Sequence, residues 1–198
     1  MIADATGAVL AGGRGTRLGG VRKALLTKDG ETLLARTLRV YGAVFPHALV
    51  IANEAAVYDA FGAPVVSDPI ADRGAPGGLF AALSAATTPW VFLAACDMPA
   101  LDARVIEALA RKRDGVQAVI ATIEGRPEPL HAFWSTAARS TLETLLRDGE
   151  PSFRDLLAAI PHARVPIGEL GPGAAASFAN VNTPEDLALH GLSLPPTT

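Results

Sequence analysis

The stretch Ala8-Val-Leu-Ala-Gly-Gly-Arg-Gly-Thr-Arg-Leu18 leads from a short apolar run directly into a glycine-rich loop. Gly12, Gly13 and Gly15 permit positive φ, so backbone N–H groups can converge on an anion without obstruction by side chains. The spacing is G-G-x-G, which differs from the dinucleotide fingerprint and from the G-K-[ST] P-loop. The stretch predicts either an anion-binding loop after the first strand or a βα turn that only requires tight geometry.

Three cations accompany these glycines. Arg14 and Arg17 lie in the loop, and Lys23 follows it closely. Guanidinium groups match the geometry of phosphate oxygens, and an ammonium group supplies a compact point charge. Together with the glycines, they favour a phosphate site in which Lys23 and Arg17 are the candidate catalytic cations.

Beyond the loop, short apolar runs alternate with amphipathic stretches. Buried strands are predicted at residues 8–11, 48–52, 64–66 and 90–95, and helices at residues 33–44, 54–61 and 79–87. This alternation predicts a three-layer, Rossmann-like α/β domain whose mostly parallel sheet carries helices on both faces.

The second half of the chain is less regular. Its pattern predicts helices at residues 102–113, 135–147, 153–160 and 183–189, strands at residues 117–123 and 129–134, and a loop at residues 168–176. No internal repeat or linker is visible, so residues 1–192 are expected to form a single domain. Residues 193–198 are expected to fray because they have nothing to pack against.

Composition excludes several classes of protein. The 198 residues include 49% hydrophobic side chains and carry a net charge of −3, with no block of Lys or Arg, so nucleic-acid binding is not expected. No apolar run approaches the roughly 20 residues that a membrane span needs, and no secretory signal is visible, which makes the cytoplasm the expected compartment. The single cysteine, Cys96, excludes an internal disulfide and a cysteine-based zinc cluster.

A carboxylate follows the predicted strand at residues 90–95, in the motif Cys96-Asp97-Met98-Pro99. The carboxyl ends of strands are where open α/β sheets bind ligands. Magnesium, held by one or two carboxylates together with phosphates and water, would neutralise charge at such a site. Asp97 is therefore a candidate metal ligand and catalytic residue, although Asp before Met-Pro is also a common turn former.

From Val9 to Leu189 the chain resembles the nucleotidyltransferases of sugar nucleotides and cofactors, first through LAGGRGTRLGGVRKALL. The motifs CDMP, PEPLHAFW, GEPSFRDLL and NVNTPEDL look most like those of molybdenum cofactor guanylyltransferases. The resemblance implies transfer of GMP from GTP to molybdenum-bearing molybdopterin, with Mg²⁺ as cofactor and pyrophosphate as product. It also implies that the backbone of residues 10–13 and Lys23 hold the nucleotide, that Asp97 ligates magnesium, and that proteins delivering or accepting molybdopterin make transient contacts.

Asp68 follows the predicted strand at residues 64–66 and resembles an aspartate that contacts the base or ribose of the nucleotide. A carboxylate can accept hydrogen bonds from both N1–H and the exocyclic amine of guanine. An Asx turn formed by Asp68 is the equally valid alternative.

The sequence departs from the family pattern near Asp68. Ile51 stands where the resemblance suggests an asparagine, with Asn53 close by, and Gly77-Gly78-Leu79 replaces Gly-Pro-Leu. Base selectivity is therefore less constrained than triphosphate binding.

Four residues of the second half are assigned to the acceptor: His131, Arg154, Asn180 and Asn182. His131 lies in a predicted strand, where core packing is the common alternative. Arg154 lies near a helix start, where a guanidinium and backbone amides can hold an anion. Asn180 and Asn182 alternate with period two and offer amides to a pterin edge, although Asn182 could instead cap the following helix.

Two other classes of function, another nucleotidyltransferase or a carrier, fit the same residues. A molybdopterin cytidylyltransferase or a sugar-1-phosphate nucleotidyltransferase would share the same architecture, and so would a non-catalytic carrier of a nucleotide or cofactor. Lys23 and Asp97 favour an enzyme, because binding alone does not require a metal ligand.

Overall fold

The computed structural model describes residues 1–12, 18–70 and 73–195, and the backbone of residues 14 and 15. The strands are β1 (Ala5–Leu10), β2 (Arg14–Gly15), β3 (Val21–Arg22), β4 (Thr27–Lys28), β5 (Glu31–Thr32), β6 (His47–Ile51), β7 (Val65–Val66), β8 (Trp90–Ala95), β9 (Ala118–Ile123), β10 (Arg126–Ser135) and β11 (His162–Pro166). The α-helices are α1 (Leu33–Val44), α2 (Gly74–Ala85), α3 (Ala103–Ala110), α4 (Arg139–Asp148), α5 (Phe153–Ala159), α6 (Ala174–Ser177) and α7 (Pro184–His190).

The main sheet has the strand order β11-β9-β10-β8-β1-β6-β7 within the described residues. β1 pairs in parallel with β6 and β8, β7 with β6, and β11 with β9. β10 runs antiparallel to both of its neighbours, β8 and β9. The mostly parallel sheet predicted from the sequence is thus confirmed. The chain first moves outward from β1 to β6 and β7 and then crosses back to β8, so a crevice forms at the carboxyl ends of β1 and β8.

Alternate residues of the strands feed two separate apolar cores, one on each face of the sheet. The core on one face includes Val9 of β1, Tyr41 of α1 and the buried residues of α3. The core on the other face includes Ala8 of β1, Leu79 of α2 and Leu142 of α4. Helices therefore cover both faces, which confirms the predicted three-layer arrangement. No helix among the described residues has the length and apolar character needed to cross a bilayer.

Local signals explain where several helices begin. The Thr32 hydroxyl accepts from the backbone N–H of Ala35 and caps α1, whose bounds match the predicted helix. Asp102 caps α3, and a capping box of Ser152 and Asp155 opens α5. Each side-chain acceptor pairs with a backbone N–H that the helix leaves unsatisfied.

The structure corrects two predicted helices of the first half. Residues 54–61 form two short 3₁₀ turns, Ala55–Val57 and Asp59–Phe61, and the second ends at Gly62 with φ of 75°. The helix predicted from residue 79 begins at Gly74 instead. Pro76 is tolerated there because the first turn of a helix has no use for its missing N–H.

Three predictions for the second half also change. A 3₁₀ turn, Thr136–Ala138, precedes α4, and the short helix α6 interrupts the predicted loop at residues 168–176. Strand β11 was not predicted, because its half-exposed residues lack an apolar run. Ser193, placed in the fraying tail, exchanges two backbone hydrogen bonds with Thr27 at 2.8 and 3.0 Å. Residues 196–198 of that tail lie outside the described residues.

Candidate active site

A cavity of about 590 Å³ opens at the carboxyl ends of β1, β6 and β8. Its position at the switch point of the sheet is where open α/β domains bind ligands, and its volume suits a small organic molecule. Six residues assigned from the sequence line it: Leu10, Gly12, Lys23, Asn53, Asp68 and Asp97. Two others, Gly13 and Arg17, lie outside the described residues, and Arg14 and Gly15 are described in their backbone alone.

Lys23 and Asp97 meet inside this cavity. The Lys23 Nζ donates to Asp97 Oδ2 at 2.8 Å and to Asn182 Oδ1 at 2.6 Å. The side chains of Lys23 and Asp97 are only 15% and 16% exposed. A mostly buried carboxylate therefore faces a cation, and a neutral amide oxygen completes the contact.

Backbone contacts hold this group together. Lys23 begins a 3₁₀ turn, Lys23–Leu25, directly after β3. Val181 N–H donates to the Asp97 carbonyl at 3.0 Å, which docks the segment carrying Asn182 beside the end of β8. Asp186 Oδ2 accepts from the N–H of Asn182 at 2.8 Å and opens α7 through a capping box with Thr183. Thr183 rather than Asn182 is thus the helix cap, which leaves the Asn182 amide to Lys23.

Hydrogen bonds to Ala11 hold the start of the glycine-rich loop in place. The Ala11 N–H donates to the Ile51 carbonyl at 2.9 Å, and the Tyr58 hydroxyl donates to the Ala11 carbonyl at 2.8 Å. Burial raises the pKa of Tyr58 to about 12, so the hydroxyl remains a donor at neutral pH. Arg22, in β3 just after this loop, forms an ion pair with Glu54. Tyr58 was not identified from the sequence because it belongs to no motif, and Arg22 was not singled out although it lies within the glycine-rich motif next to Lys23.

Asp68 lines the cavity and also forms a local turn. Its Oδ1 accepts from the Ile70 N–H at 2.9 Å, which is the Asx turn considered above, and its own N–H donates to Asn53 Oδ1 at 2.9 Å. Burial raises the pKa of this carboxyl. A Cβ on Gly77 would lie 2.2 Å from Asp68 Oδ2. Gly77, which matches the glycine of the Gly-Pro-Leu pattern, therefore makes room for the carboxylate.

The side chains around Asp97 indicate which metal ion this site could bind. Among the described residues no three His, Cys, Asp or Glu side chains cluster as a metal site. A single carboxylate can hold Mg²⁺, because this ion takes most of its ligands from phosphates and water. The adjacent Cys96 is buried, and burial raises the pKa of its thiol to about 12. A protonated thiol is a poor nucleophile, so Cys96 has no catalytic assignment.

His131 does not reach the cavity, contrary to its assignment to the acceptor. Its side chain is fully buried, with ring centroids 4.1 Å from Phe178 and 5.3 Å from Phe92. Neither ring nitrogen has a well-formed hydrogen bond within the described residues. Burial lowers the pKa of His131 to about 3, so the ring is neutral and serves as packing.

This burial makes folding stability depend on pH. The unfolded chain takes up a proton at His131 near its ordinary pKa of about 6.5, whereas the folded chain does so only near pH 3. The free energy of unfolding should therefore fall as pH decreases through this window, by about 2 kcal/mol between pH 7 and pH 5. Urea unfolding at both pH values, with His131→Phe as the comparison, measures it. An equal loss in the variant would contradict the neutral, buried histidine.

The remaining acceptor candidates differ in their distance from the cavity. Arg154, in the first turn of α5, and Asn180 are exposed, and neither lines the described cavity. Asn182 lies against Lys23, within reach of the same cavity. Sequence reasoning assigned Lys23 and Asp97 to the nucleotide and Asn182 to the acceptor, and the structure brings these three side chains together.

Comparison with known proteins adds the family. The family model described as MobA-like NTP transferase domain matches residues 7–165. A molybdenum cofactor guanylyltransferase of Cupriavidus metallidurans is 33% identical, with 94% of each chain covered, and one of Ralstonia nicotianae is 35% identical, with 93% of this chain and 94% of the relative covered. The structure of molybdopterin-guanine dinucleotide biosynthesis protein A from Archaeoglobus fulgidus superposes with a TM-score of 0.81 at 26% identity, covering 93% of this chain and 96% of that one.

The family match covers most of the elements of the fold. The match at residues 7–165 spans the sheet from β1 to β11, including the glycine-rich loop, Lys23 and Asp97. The two bacterial relatives extend over almost the full length of both chains. On this basis the chain belongs to the MobA-like NTP transferase family.

Proposed function

We propose that this protein transfers GMP from GTP to the phosphate of molybdopterin, giving the guanine dinucleotide cofactor and pyrophosphate. The observation that carries the proposal is the Lys23–Asp97 pair at the wall of a cavity of about 590 Å³, beside a glycine-rich loop. The names of the bacterial relatives specify the guanylyl group and the molybdenum cofactor. A carrier would not need a buried pair of opposite charges at the phosphate end of its site.

In this reaction a phosphate oxygen of the acceptor attacks the α-phosphorus of GTP. The bond from that phosphorus to the bridging oxygen breaks, and pyrophosphate leaves with its electrons. A phosphate monoester is largely ionised at neutral pH, because its second pKa is about 6, so no strong base is required. This agrees with the burial of His131 and the protonated thiol of Cys96.

The chain contributes positioning and charge. The backbone of Leu10–Gly12, anchored by Tyr58, holds the triphosphate, and Lys23 supplies positive charge where the pentacovalent phosphorus gains negative charge. Asp97 is the residue that would hold Mg²⁺. When bound, the ion neutralises phosphate charge and orients the leaving group. Arg14 and Arg17 remain candidates for further phosphate contacts.

The acceptor half of the site includes Asn182 and, at the surface, Asn180 and Arg154. Exposed side chains suit an acceptor that arrives bound to another protein, and we expect transient contacts with the proteins that deliver or receive molybdopterin. GTP is a cytoplasmic metabolite, so we place the enzyme in the cytoplasm.

A nucleotide panel tests the proposal. GTP with Mg²⁺ should raise the melting temperature of the purified protein more than CTP, ATP or UTP. Pyrophosphate should appear only when GTP and molybdopterin are both present. A preference for CTP would reassign the base, and GTP binding without pyrophosphate release would make the protein a carrier.

Gly77→Ala tests the assignment of Asp68 to the nucleotide. The new Cβ would lie 2.2 Å from Asp68 Oδ2 and 2.8 Å from Arg73 Cβ, so the carboxylate must leave its place. Affinity for GTP with Mg²⁺ should fall by roughly 1–3 kcal/mol, the loss of one positioned polar contact. Calorimetric titration measures this, and the change should have little further effect in an Asp68→Ala background.

Gly42→Ala is the matched control. Gly42 lies in α1, and apart from its chain neighbours and the backbone of its own helix no atom of the described residues lies within 4 Å of a Cβ added there. Alanine should leave GTP affinity unchanged and raise stability by about 0.5–1 kcal/mol, since glycine is a poor helix former. Unchanged GTP affinity in Gly77→Ala would remove Asp68 from the nucleotide site.

A further inference from the structure

The ammonium group of Lys23 contacts two oxygens that could instead ligate a metal ion. The Nζ atom is held by two oxygens, Asp97 Oδ2 at 2.8 Å and Asn182 Oδ1 at 2.6 Å. These oxygens come from segments far apart in sequence, and the Val181–Asp97 backbone bond fixes them relative to each other. A carboxylate and an amide oxygen are both ligands for hard divalent cations.

We propose that Lys23 is an internal counter-ion that occupies the cation position of Asp97 until a metal–nucleotide complex displaces it. The proposal deepens the proposed function, since it specifies how the chain admits the metal. Lys23 thereby acts as a gate on metal binding as well as a phosphate contact.

The electrostatics of the Asp97 carboxylate support an exchange of the Lys23 ammonium for a metal ion. The Asp97 side chain is only 16% exposed, so its negative charge requires a partner. An ammonium group and a divalent ion bound to the same carboxylate would repel each other at short range in a site of reduced dielectric. One of the two must therefore leave before the other binds.

The nucleotide changes this balance. A triphosphate in the cavity brings several negative charges close to Lys23, which then has new anionic partners once it leaves Asp97. The metal alone brings no such compensation, because it would leave the ammonium without an anion. Metal binding to the nucleotide-free protein should accordingly be weak, and metal and nucleotide should bind cooperatively.

The direct test measures metal binding without nucleotide or acceptor. Mn²⁺ is the probe, and free Mn²⁺ is followed by electron paramagnetic resonance during titration of the protein. Lys23→Met keeps the length and packing of the side chain but removes its charge. It should bind Mn²⁺ at least about tenfold more tightly than the wild type, and Asp97→Asn added to Lys23→Met should abolish the gain.

Arg22→Met is the matched control. Arg22 is the neighbouring residue, and its charge is paired with Glu54. It should leave Mn²⁺ affinity within about twofold of the wild type, because only long-range charge is removed. An equal gain in both variants, or no gain in Lys23→Met while the protein remains folded, would overturn the proposal.

These outcomes are independent of guanylyl transfer. If the protein transfers GMP but Lys23→Met binds Mn²⁺ no more tightly than the wild type, the proposed function stands and the counter-ion role of Lys23 is refuted. If Lys23→Met binds Mn²⁺ more tightly but the wild-type protein releases no pyrophosphate, the counter-ion role of Lys23 stands and the proposed function is refuted.

Discussion

Asp97→Asn is expected to lower the turnover number of GMP transfer by at least about 100-fold while the protein remains folded. The substitution preserves shape but removes the negative charge of Asp97 that faces Lys23 in the cavity. Charge neutralisation by a bound metal is worth several kcal/mol in the transition state, and about 1.4 kcal/mol corresponds to a factor of ten in rate. The measurement is pyrophosphate release at saturating GTP and acceptor, over a range of magnesium concentrations.

Asp102→Asn controls for the chemical change itself. Asp102 follows on the same loop and caps α3 through its side chain. Asparagine caps a helix about as well as aspartate, so turnover and stability should hardly change. Normal activity with unchanged magnesium dependence in Asp97→Asn would move the metal site elsewhere, and Asp68 would become the candidate.

Lys23→Ala should lower kcat/KM by at least about 30-fold, which corresponds to about 2 kcal/mol of transition-state stabilisation. The ammonium lies within the cavity, held by Asp97 and Asn182, so its removal takes positive charge from the place where phosphate charge develops. The fall should appear mainly in kcat if the interaction strengthens in the transition state. Steady-state kinetics with GTP as the varied substrate would show this.

Lys112→Ala provides the comparison. Lys112 is half exposed, pairs with Glu169 at 3.8 Å and does not line the cavity. Surface pairs of this kind contribute little to stability, so this variant should behave like the wild type. Near wild-type turnover in Lys23→Ala, with circular dichroism showing a folded protein, would remove Lys23 from the mechanism.

The parts of the fold that could be predicted from sequence share a local cause. The bounds of α1 and β8 were correct, because apolar periodicity, a Thr cap and flanking turn residues all lie within a dozen residues. The α-helix predicted at residues 54–61 was wrong, because helical periodicity over so few residues does not distinguish an α-helix from consecutive 3₁₀ turns.

The candidate site shows the same division. Lys23 and Asp97 could be identified because one follows a glycine-rich loop and the other ends a buried strand. Tyr58, which supports Ala11 from a distance of 47 residues along the chain, carries no local signal. Its role follows only from the turn that brings its hydroxyl beneath the loop.

By itself the sequence determined the α/β class, the strand that leads into the loop and the types of residue available for phosphate chemistry. Tertiary structure decided which of these residues meet. Asn182 reaches Lys23 across 159 residues, because the segment after α6 docks on the end of β8. His131 pairs with Ala94 of β8, while a register shift interrupts the pairing of β10 with β9 between Glu128 and Ala132. Because successive residues of a strand face opposite sides, Leu130 lines the cavity and His131 packs in the core.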